Sequence, residues 1–252
     1  MKILSWNIAF LPEIINEFKN SKNRLNAIKK LIKISNPDII CFQEVFSNLS
    51  RKVLVDFLKH KYYITLSPKT YFILNGGLLL ASKYPIVDVE YNVFKNRAGE
   101  DALCQKGIIY AKIKYKNKYI NVYNTHLNND TPKFCFNRSL LNDVKRNQLN
   151  EYLKVVYNKL FNTNIDINIL TGDFNLDFGS QYYKAFLSKL GDIFKICSNK
   201  KEIITNNLKN NQIDYIMTAC HNSKKKYKYK LYSYSRFKEI SDHNPLIKKI
   251  NI

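Results

Sequence analysis

A chain of 252 residues with 45% hydrophobic and 24% charged side chains is long enough to bury a substantial core within one globular domain. Its 7 Gly and 6 Pro exclude collagen-like and low-complexity architectures, and no apolar run approaches the roughly eighteen residues of a membrane span. The 41 Lys and Arg against 20 Asp and Glu leave a net charge of +21, a field that attracts nucleic acid or an acidic membrane surface.

From the N-terminus, Lys2 to Asn7 reads as a strand around Ile3-Leu4. It follows Met1 without the basic-then-apolar leader of a secreted protein, so an intracellular chain, cytoplasmic or peripheral on membranes, is expected. Leu25, Ile28, Leu31 and Ile32 fall at helical spacing and stop before Pro37. A buried strand, Ile39-Ile40-Cys41-Phe42, and a short helix carrying Val53, Leu54, Phe57 and Leu58 come next. Leu78 to Leu80 and Ile108 to Tyr110 read as further buried strands. The alternating runs either side of Lys116-Asn117 predict a hairpin over Ile113 to Ile120, and so antiparallel pairing that continues through Tyr123. Leu141, Val144, Leu149, Leu153, Val156 and Leu160 predict a long helix, with strands at Ile167 to Leu170 and Tyr215 to Met217 and a last one after Pro245. No linker or repeat interrupts the alternation, which predicts one α/β domain with mixed sheets covered by outer helices. Cys41, Cys104, Cys135, Cys197 and Cys220 are odd in number and form no CxxC pair, so neither a disulfide framework nor a zinc site is expected.

Most of the surplus cations are Lys, a hydrated point charge better suited to sequence-independent contacts than to reading bases. Codon bias in an AT-rich genome also produces a mixture of Lys, Asn, Ile and Tyr, so the charge carries only part of the argument. The acids are more informative. Glu44 follows Ile39 to Phe42, Asp173 follows Ile169-Leu170, and Asp214 precedes Tyr215-Ile216. A carboxylate at the end of a buried strand is costly unless a cation or several donors compensate it. Gln43-Glu44 and Trp6-Asn7 both end strands, and an oxygen pair there suits a hard ion such as Mg²⁺, with Mn²⁺ as the alternative. His126 and His243 also stand beside acids or Asn at strand ends, whereas His60 and His221 have no such neighbours and read as surface residues.

The ordered set Trp6-Asn7, Gln43-Glu44, Asn124-Thr125-His126-Leu127, Gly172-Asp173-Phe174-Asn175, Asp214-Tyr215-Ile216 and Ser241-Asp242-His243 resembles the endonuclease/exonuclease/phosphatase superfamily of metal-dependent phosphodiesterases. The resemblance covers essentially the whole chain. It implies a single catalytic domain over residues 1–252, built as a four-layer α/β sandwich of two mixed, largely antiparallel sheets packed face to face with helices on both outer faces. Three further segments resemble the neutral sphingomyelinase branch: Asn75-Gly76-Gly77 through Pro85-Ile86, Asp101 through Lys106-Gly107, and Arg146-Asn147-Gln148-Leu149. In that branch an Asp and a Lys spaced like Asp101 and Lys106 position the site. The plainer readings are a tight turn at Gly76-Gly77, an exposed ion pair, and an ordinary stretch of helix.

The resemblance implies hydrolysis of a phosphodiester by direct attack of an activated water. Glu44 and Asn7 would hold Mg²⁺, with Asp242 completing a second cation site. His243 would be the base and Asp214 its orienting partner, Asp173 and Asn175 would orient water and phosphate, and His126 would donate to the phosphoryl oxygens. The expected substrate is sphingomyelin or a related choline lipid at an anionic membrane surface, with no obligate protein partner. The alternatives are a metal-dependent DNA or RNA nuclease of the same superfamily and a silent module that binds nucleic acid or membrane. The stretch Lys224 to Tyr232, interleaving cations and aromatic rings, suits an acidic interface, single-stranded nucleic acid, or an edge strand guarded by Lys.

Overall fold

A computed structural model describes residues 1–11, 21–69, 74–130, 137–159, 165–191, 195–197, 201–220, 228–237 and 239–252. Leu160, His221, Cys135 and the stretch Lys224 to Tyr227 lie outside them. Two strands whose side chains are buried on both faces, β1 (Lys2–Phe10) and β2 (Ile39–Val45), run parallel. Parallel neighbours need a crossover, and α1 (Ser21–Ser35) provides it by burying Leu25, Ile28, Leu31 and Ile32. The second helix, α2 (Asn48–Leu58), starts where Ser47 accepts a hydrogen bond from the Ser50 backbone N–H, and it adds Leu54 and Leu58 to the same layer. Strands β3 (Tyr63–Leu66) and β4 (Leu79–Ser82) then extend the sheet beyond β2.

The chain next builds a second sheet. Strand β5 (Ile86–Val93) pairs with β6 (Gly107–Tyr115), which turns at Lys116-Asn117 into β7 (Lys118–His126). The left-handed φ of 53° at Lys116 closes the predicted hairpin. A second crossover, α3 (Arg138–Asn158), joins β7 to its parallel neighbour β8 (Ile165–Asp173). Helix α4 (Gln181–Gly191), the short β9 (Lys195–Cys197) and β10 (Asp214–Cys220) complete this half. The chain then returns to the first sheet with β11 (Tyr229–Ser233) and β12 (Leu246–Ile250).

The sheet orders are β11-β12-β1-β2-β4-β3 and β5-β6-β7-β8-β10-β9. Three apolar layers hold them together. Ile3, Cys41, Leu80, Ile109, Val122, Ile169 and Ile216 fill the space between the sheets, α1 and α2 close one outer face, and α3 and α4 close the other around Tyr152, Phe174 and Phe186. This is the expected four-layer sandwich. No helix among the described residues is long and apolar enough to cross a membrane.

Strand β11 forms one edge of the first sheet, in line with the guarded-edge reading of the Lys- and Tyr-rich stretch. Lys228, Tyr229, Lys230, Tyr232 and Lys249 line a groove of about 580 Å³ there. Tyr229 pairs with Ile250 and Ser233 with Leu246, so the groove sits at the end of β12 remote from Asp242-His243. His60 is exposed, as expected, and Cys41, Cys104 and Cys220 are buried free thiols.

Candidate functional site

The two crossovers explain why distant residues meet. In each, a parallel pair ends at the same rim: Asn7 and Glu44 lie at the C-terminal ends of β1 and β2, and His126 and Asp173 at those of β7 and β8. Antiparallel β10 begins at that rim with Asp214 opposite Asp173, and β12 begins there just after Asp242-His243. Facing sheets therefore bring both sets to one cleft.

Asp173 is its centre. Its Oδ2 accepts a hydrogen bond from Asn7 Nδ2 at 3.1 Å and lies 3.5 Å from His126 Nε2 and 3.7 Å from His243 Nε2. Asn7 Nδ2 also reaches Glu44 Oε1 at 2.8 Å. His243 Nδ1 and Asp214 Oδ2 are 2.8 Å apart, and Asp242 Oδ2 flanks the outer side of the ring, 3.9 Å from Nε2. Asn175 is held by its backbone N–H, which donates to Asp173 Oδ1, and by its side chain, which donates to the Leu127 carbonyl. The backbone is left-handed at Ala9 (φ 48°), Glu44 (φ 57°) and Asn175 (φ 47°), strain of the order of 1–3 kcal/mol each that concentrates around the cleft. Gly172, at φ 137°, lets β8 approach β7 so closely that a side chain there would collide with the Thr125 carbonyl, which sets Asp173 against His126.

Burial shapes the electrostatics. Desolvation, reinforced by Asp214, pushes the Asp173 carboxyl up to about 7, and desolvation together with Asp242 raises Glu44. Burial acts to lower His243, but the Asp214 and Asp173 carboxylates overcome it and raise the ring well above its ordinary value. His126 is driven well below its own by burial, the Lys106 cation and His243. Ligand atoms of Glu44, His126 and Asp173 lie within 4.8 Å of one another. Two crowded carboxylates that resist ionisation fit a hard cation, and Asn7, which turns Nδ2 toward both of them and Oδ1 toward the Ala9 N–H, would join them through its oxygen on rotation of the amide. His126 is the poorest ligand of the set, because its Nε2 lies 3.0 Å from the Lys106 ammonium and accepts from it.

Asp173 and His243 both hold a proton more tightly in the folded chain than in the unfolded one. Without a cation the protein is therefore expected to lose stability as pH rises, for Asp173 from about 4 to about 7 and for His243 from about 6.5 upward. A divalent ion competes with those protons, so Mg²⁺ should raise the melting temperature more at about pH 8 than at about pH 5. Equal shifts at both pH values would place the ion elsewhere.

The Asp101–Lys106 pair is not the exposed contact of the plainer reading. It spans 2.8 Å with side-chain exposures of 10% and 2%, and Lys106 spends its remaining hydrogens on the Leu127 carbonyl and His126. Asp101 also accepts from the Asn129 backbone at 2.7 Å, fixing the loop after β7. Gly76-Gly77 forms a packing turn beneath the Glu44 loop: Gly77, at φ 65°, leaves no room for a Cβ against Phe46, and its carbonyl accepts from the Val45 N–H. Gln148 is fully buried and links the Asn128 N–H to the Asn96 carbonyl, while Arg146 faces solvent.

The Endonuclease/Exonuclease/phosphatase family model matches residues 4–243, an interval that spans every cleft residue from Asn7 to His243. The chain belongs to this family. Over 208 residues it is 27% identical to Sphingomyelinase C 2 of Leptospira interrogans, covering 75% of this chain and 33% of that protein. Over 215 residues it is 26% identical to Sphingomyelinase C of Bacillus cereus, covering 74% and 62%. The chain thus spans about a third of the Leptospira relative's length. A crystal structure of a beta toxin mutant from Staphylococcus aureus with bound magnesium ions superposes with a TM-score of 0.80 at 22% identity over 98% of both chains, a likeness of fold.

Within this family framework the structure adds residues that no sequence motif marked. Asn206 Nδ2 lies 3.2 Å from His243 Nε2, and Lys145 donates to the Asn175 carbonyl at 3.1 Å while pairing with Asp130. Asn206 comes from an irregular segment with no local signal. Lys145 and Arg24 did carry one, as charged residues within the buried stripes of α3 and α1.

Proposed function

We propose that this chain is a Mg²⁺-dependent phosphodiesterase of the sphingomyelinase type, acting on sphingomyelin or a related choline lipid at a membrane surface. The observation that carries the reading is the His243–Asp214 dyad aimed at the same Asp173 oxygen that faces Asn7, Glu44 and His126. The names of the bacterial relatives support the lipid substrate.

In this reading Glu44 and the Asn7 oxygen hold the ion, which when bound supplies Lewis-acid and template chemistry, and Asp242, whose charge acts on Glu44, serves that same ion rather than the second site expected from the sequence. His243 acts in its neutral ring form, which a cation beside Asp173 would favour over the imidazolium of the metal-free chain, and its Nε2 takes a proton from water as the water oxygen bonds to phosphorus. Asp214 keeps the ring proton on Nδ1 and stabilises the imidazolium that develops. The bond from phosphorus to the lipid oxygen breaks, that oxygen takes a proton from solvent, and His243 Nε2 releases the water proton to solvent, giving ceramide and phosphocholine and restoring the base. Asp173 and Asn175 orient the water and the phosphate. His126 would donate to a phosphoryl oxygen in the tautomer with its proton on Nε2, once Lys106 releases that nitrogen.

The test is hydrolysis by the purified chain of sphingomyelin in mixed micelles, of lysophospholipid and of plasmid DNA, each with Mg²⁺ and with chelator. Phosphocholine release from sphingomyelin that stops with chelator is the expected result. Plasmid nicking without phosphocholine release would replace the lipid reading with the nuclease one. Asp101→Ala strips a buried Lys106 of its carboxylate, a change worth about 3–5 kcal/mol, and loosens the loop after β7. It should impair sphingomyelin cleavage far more than cleavage of a small aryl phosphodiester, and equal losses on both would count against a lipid-positioning loop.

A further inference from the structure

We infer that Arg24 is a positioning residue that locks together the two halves of the cation site, an inference that rests on the metal reading above. Arg24 lies on α1, yet it is 1% exposed and points its guanidinium between the C-terminal end of β1 and the segment before Asp242. Nη2 donates to the carbonyls of Ile8 at 2.6 Å and Ala9 at 3.0 Å, and Nε donates to the carbonyl of Ile240 at 2.7 Å. The guanidinium also lies 4.2 Å from the centre of the Phe10 ring.

Each of these carbonyls neighbours a proposed ligand. Ile8 and Ala9 directly follow Asn7, and Ile240 stands two residues before Asp242. Ala9 is in the left-handed region, and its N–H donates to Asn7 Oδ1 at 3.1 Å, so the orientation of the Asn7 amide depends on how Ala9 is held. Ser241 Oγ, donating to the Asn7 carbonyl at 2.7 Å, ties the same two segments on their other side. No chain connection shorter than most of the sequence links Asn7 to Asp242. The β1–β12 ladder stops at Ser5–Leu246, so beyond it the spacing depends on cross-ties, the Trp6 Nε1 bond to the His243 carbonyl among them, and a planar guanidinium can grip both segments at once where an ammonium cannot. Outer groups that orient metal ligands typically contribute ten- to a hundredfold in metal affinity.

The experiment titrates Mg²⁺ alone into the full chain by calorimetry, with melting temperature as a second readout, for the parent, Arg24→Lys, Arg24→Met and the core control Leu54→Ala. Leu54 is fully buried on the inner face of α2 and touches no cleft residue's hydrogen bonds. Both Arg24 variants should bind Mg²⁺ at least about tenfold more weakly than the parent, and Arg24→Lys should do so even where its metal-free melting temperature is recovered. Leu54→Ala should lose melting temperature and keep the parent's affinity. If Arg24→Met does not fold, Arg24→Lys alone decides the matter. Parent-like Mg²⁺ affinity in the folded Arg24 variants would overturn the inference and leave the metal reading standing. A parent chain that binds no Mg²⁺ would overturn the metal reading itself.

Discussion

Turnover by a His243→Asn variant is expected to fall roughly a thousandfold, with the melting temperature within about 5 °C of the parent. The asparagine Nδ2 falls near the position of the imidazole Nδ1, so it can still donate to Asp214 Oδ2, now 2.8 Å from the ring. What disappears is Nε2, the only ring atom able to take the water proton. The fold is spared because the bond that anchors this segment runs from Trp6 Nε1 to the His243 main-chain carbonyl, at 2.8 Å, and is indifferent to the side chain. His243→Ala is the weaker test. It leaves Asp214 Oδ2, on a carboxylate 1% exposed, with no donor from the ring position as well as no charge there, and about 3–5 kcal/mol of lost stability would then be mixed with lost chemistry. A His243→Asn enzyme within tenfold of the parent would move the base role to another group, with Asp173 the nearest at 3.7 Å from Nε2.

For Glu44→Gln the expected results have opposite signs. Activity with Mg²⁺ should fall roughly a hundredfold or more, and Mg²⁺ should no longer raise the melting temperature. The metal-free protein should melt higher than its parent, because a carboxylate raised by burial and by Asp242 is replaced by a neutral amide. The new side chain can still accept from Asn7 Nδ2 as Glu44 Oε1 does at 2.8 Å. Calorimetric melting with and without the ion reads both effects in one experiment. A Glu44→Gln variant that is merely destabilised, and still gains stability from Mg²⁺, would remove Glu44 from the metal site.

Local pattern was enough for the strands that build the inner layer. Ile39 to Phe42, Ile108 to Tyr110 and, but for the hydrogen-bonded Asn168, Ile167 to Leu170 are apolar on both faces because both faces are covered, and a buried run stands out in any sequence. Strand β5 escaped notice for the opposite reason: Val87 and Val89 are exposed and most of its residues reach solvent, so burial imposes no pattern on it. Helix α4 did carry a usable pattern in Tyr183, Phe186 and Leu190, at helical spacing and buried. The Asp101–Lys106 contact shows the limit of reading a pair by spacing. Five residues apart in sequence, it could have been a solvated surface ion pair, and only the packing of the loop against β7 makes it a buried one.

From its residues alone, the chain could be assigned one α/β domain of mixed sheets covered by helices and a set of acids, amides and imidazoles placed at strand ends, because both follow from local chemistry; the sandwich came with the family resemblance. Runs of apolar side chains must be covered, and polar groups beside them need partners. The tertiary structure decided which of those groups meet. Asn7 and His243 lie at opposite ends of the sequence, and they converge with Asp173 on one cleft only because two parallel crossovers and two facing sheets direct their strand ends to the same rim. The same packing recruited Arg24, Lys145 and Asn206, whose work is done through carbonyls and ring nitrogens that no linear motif encodes.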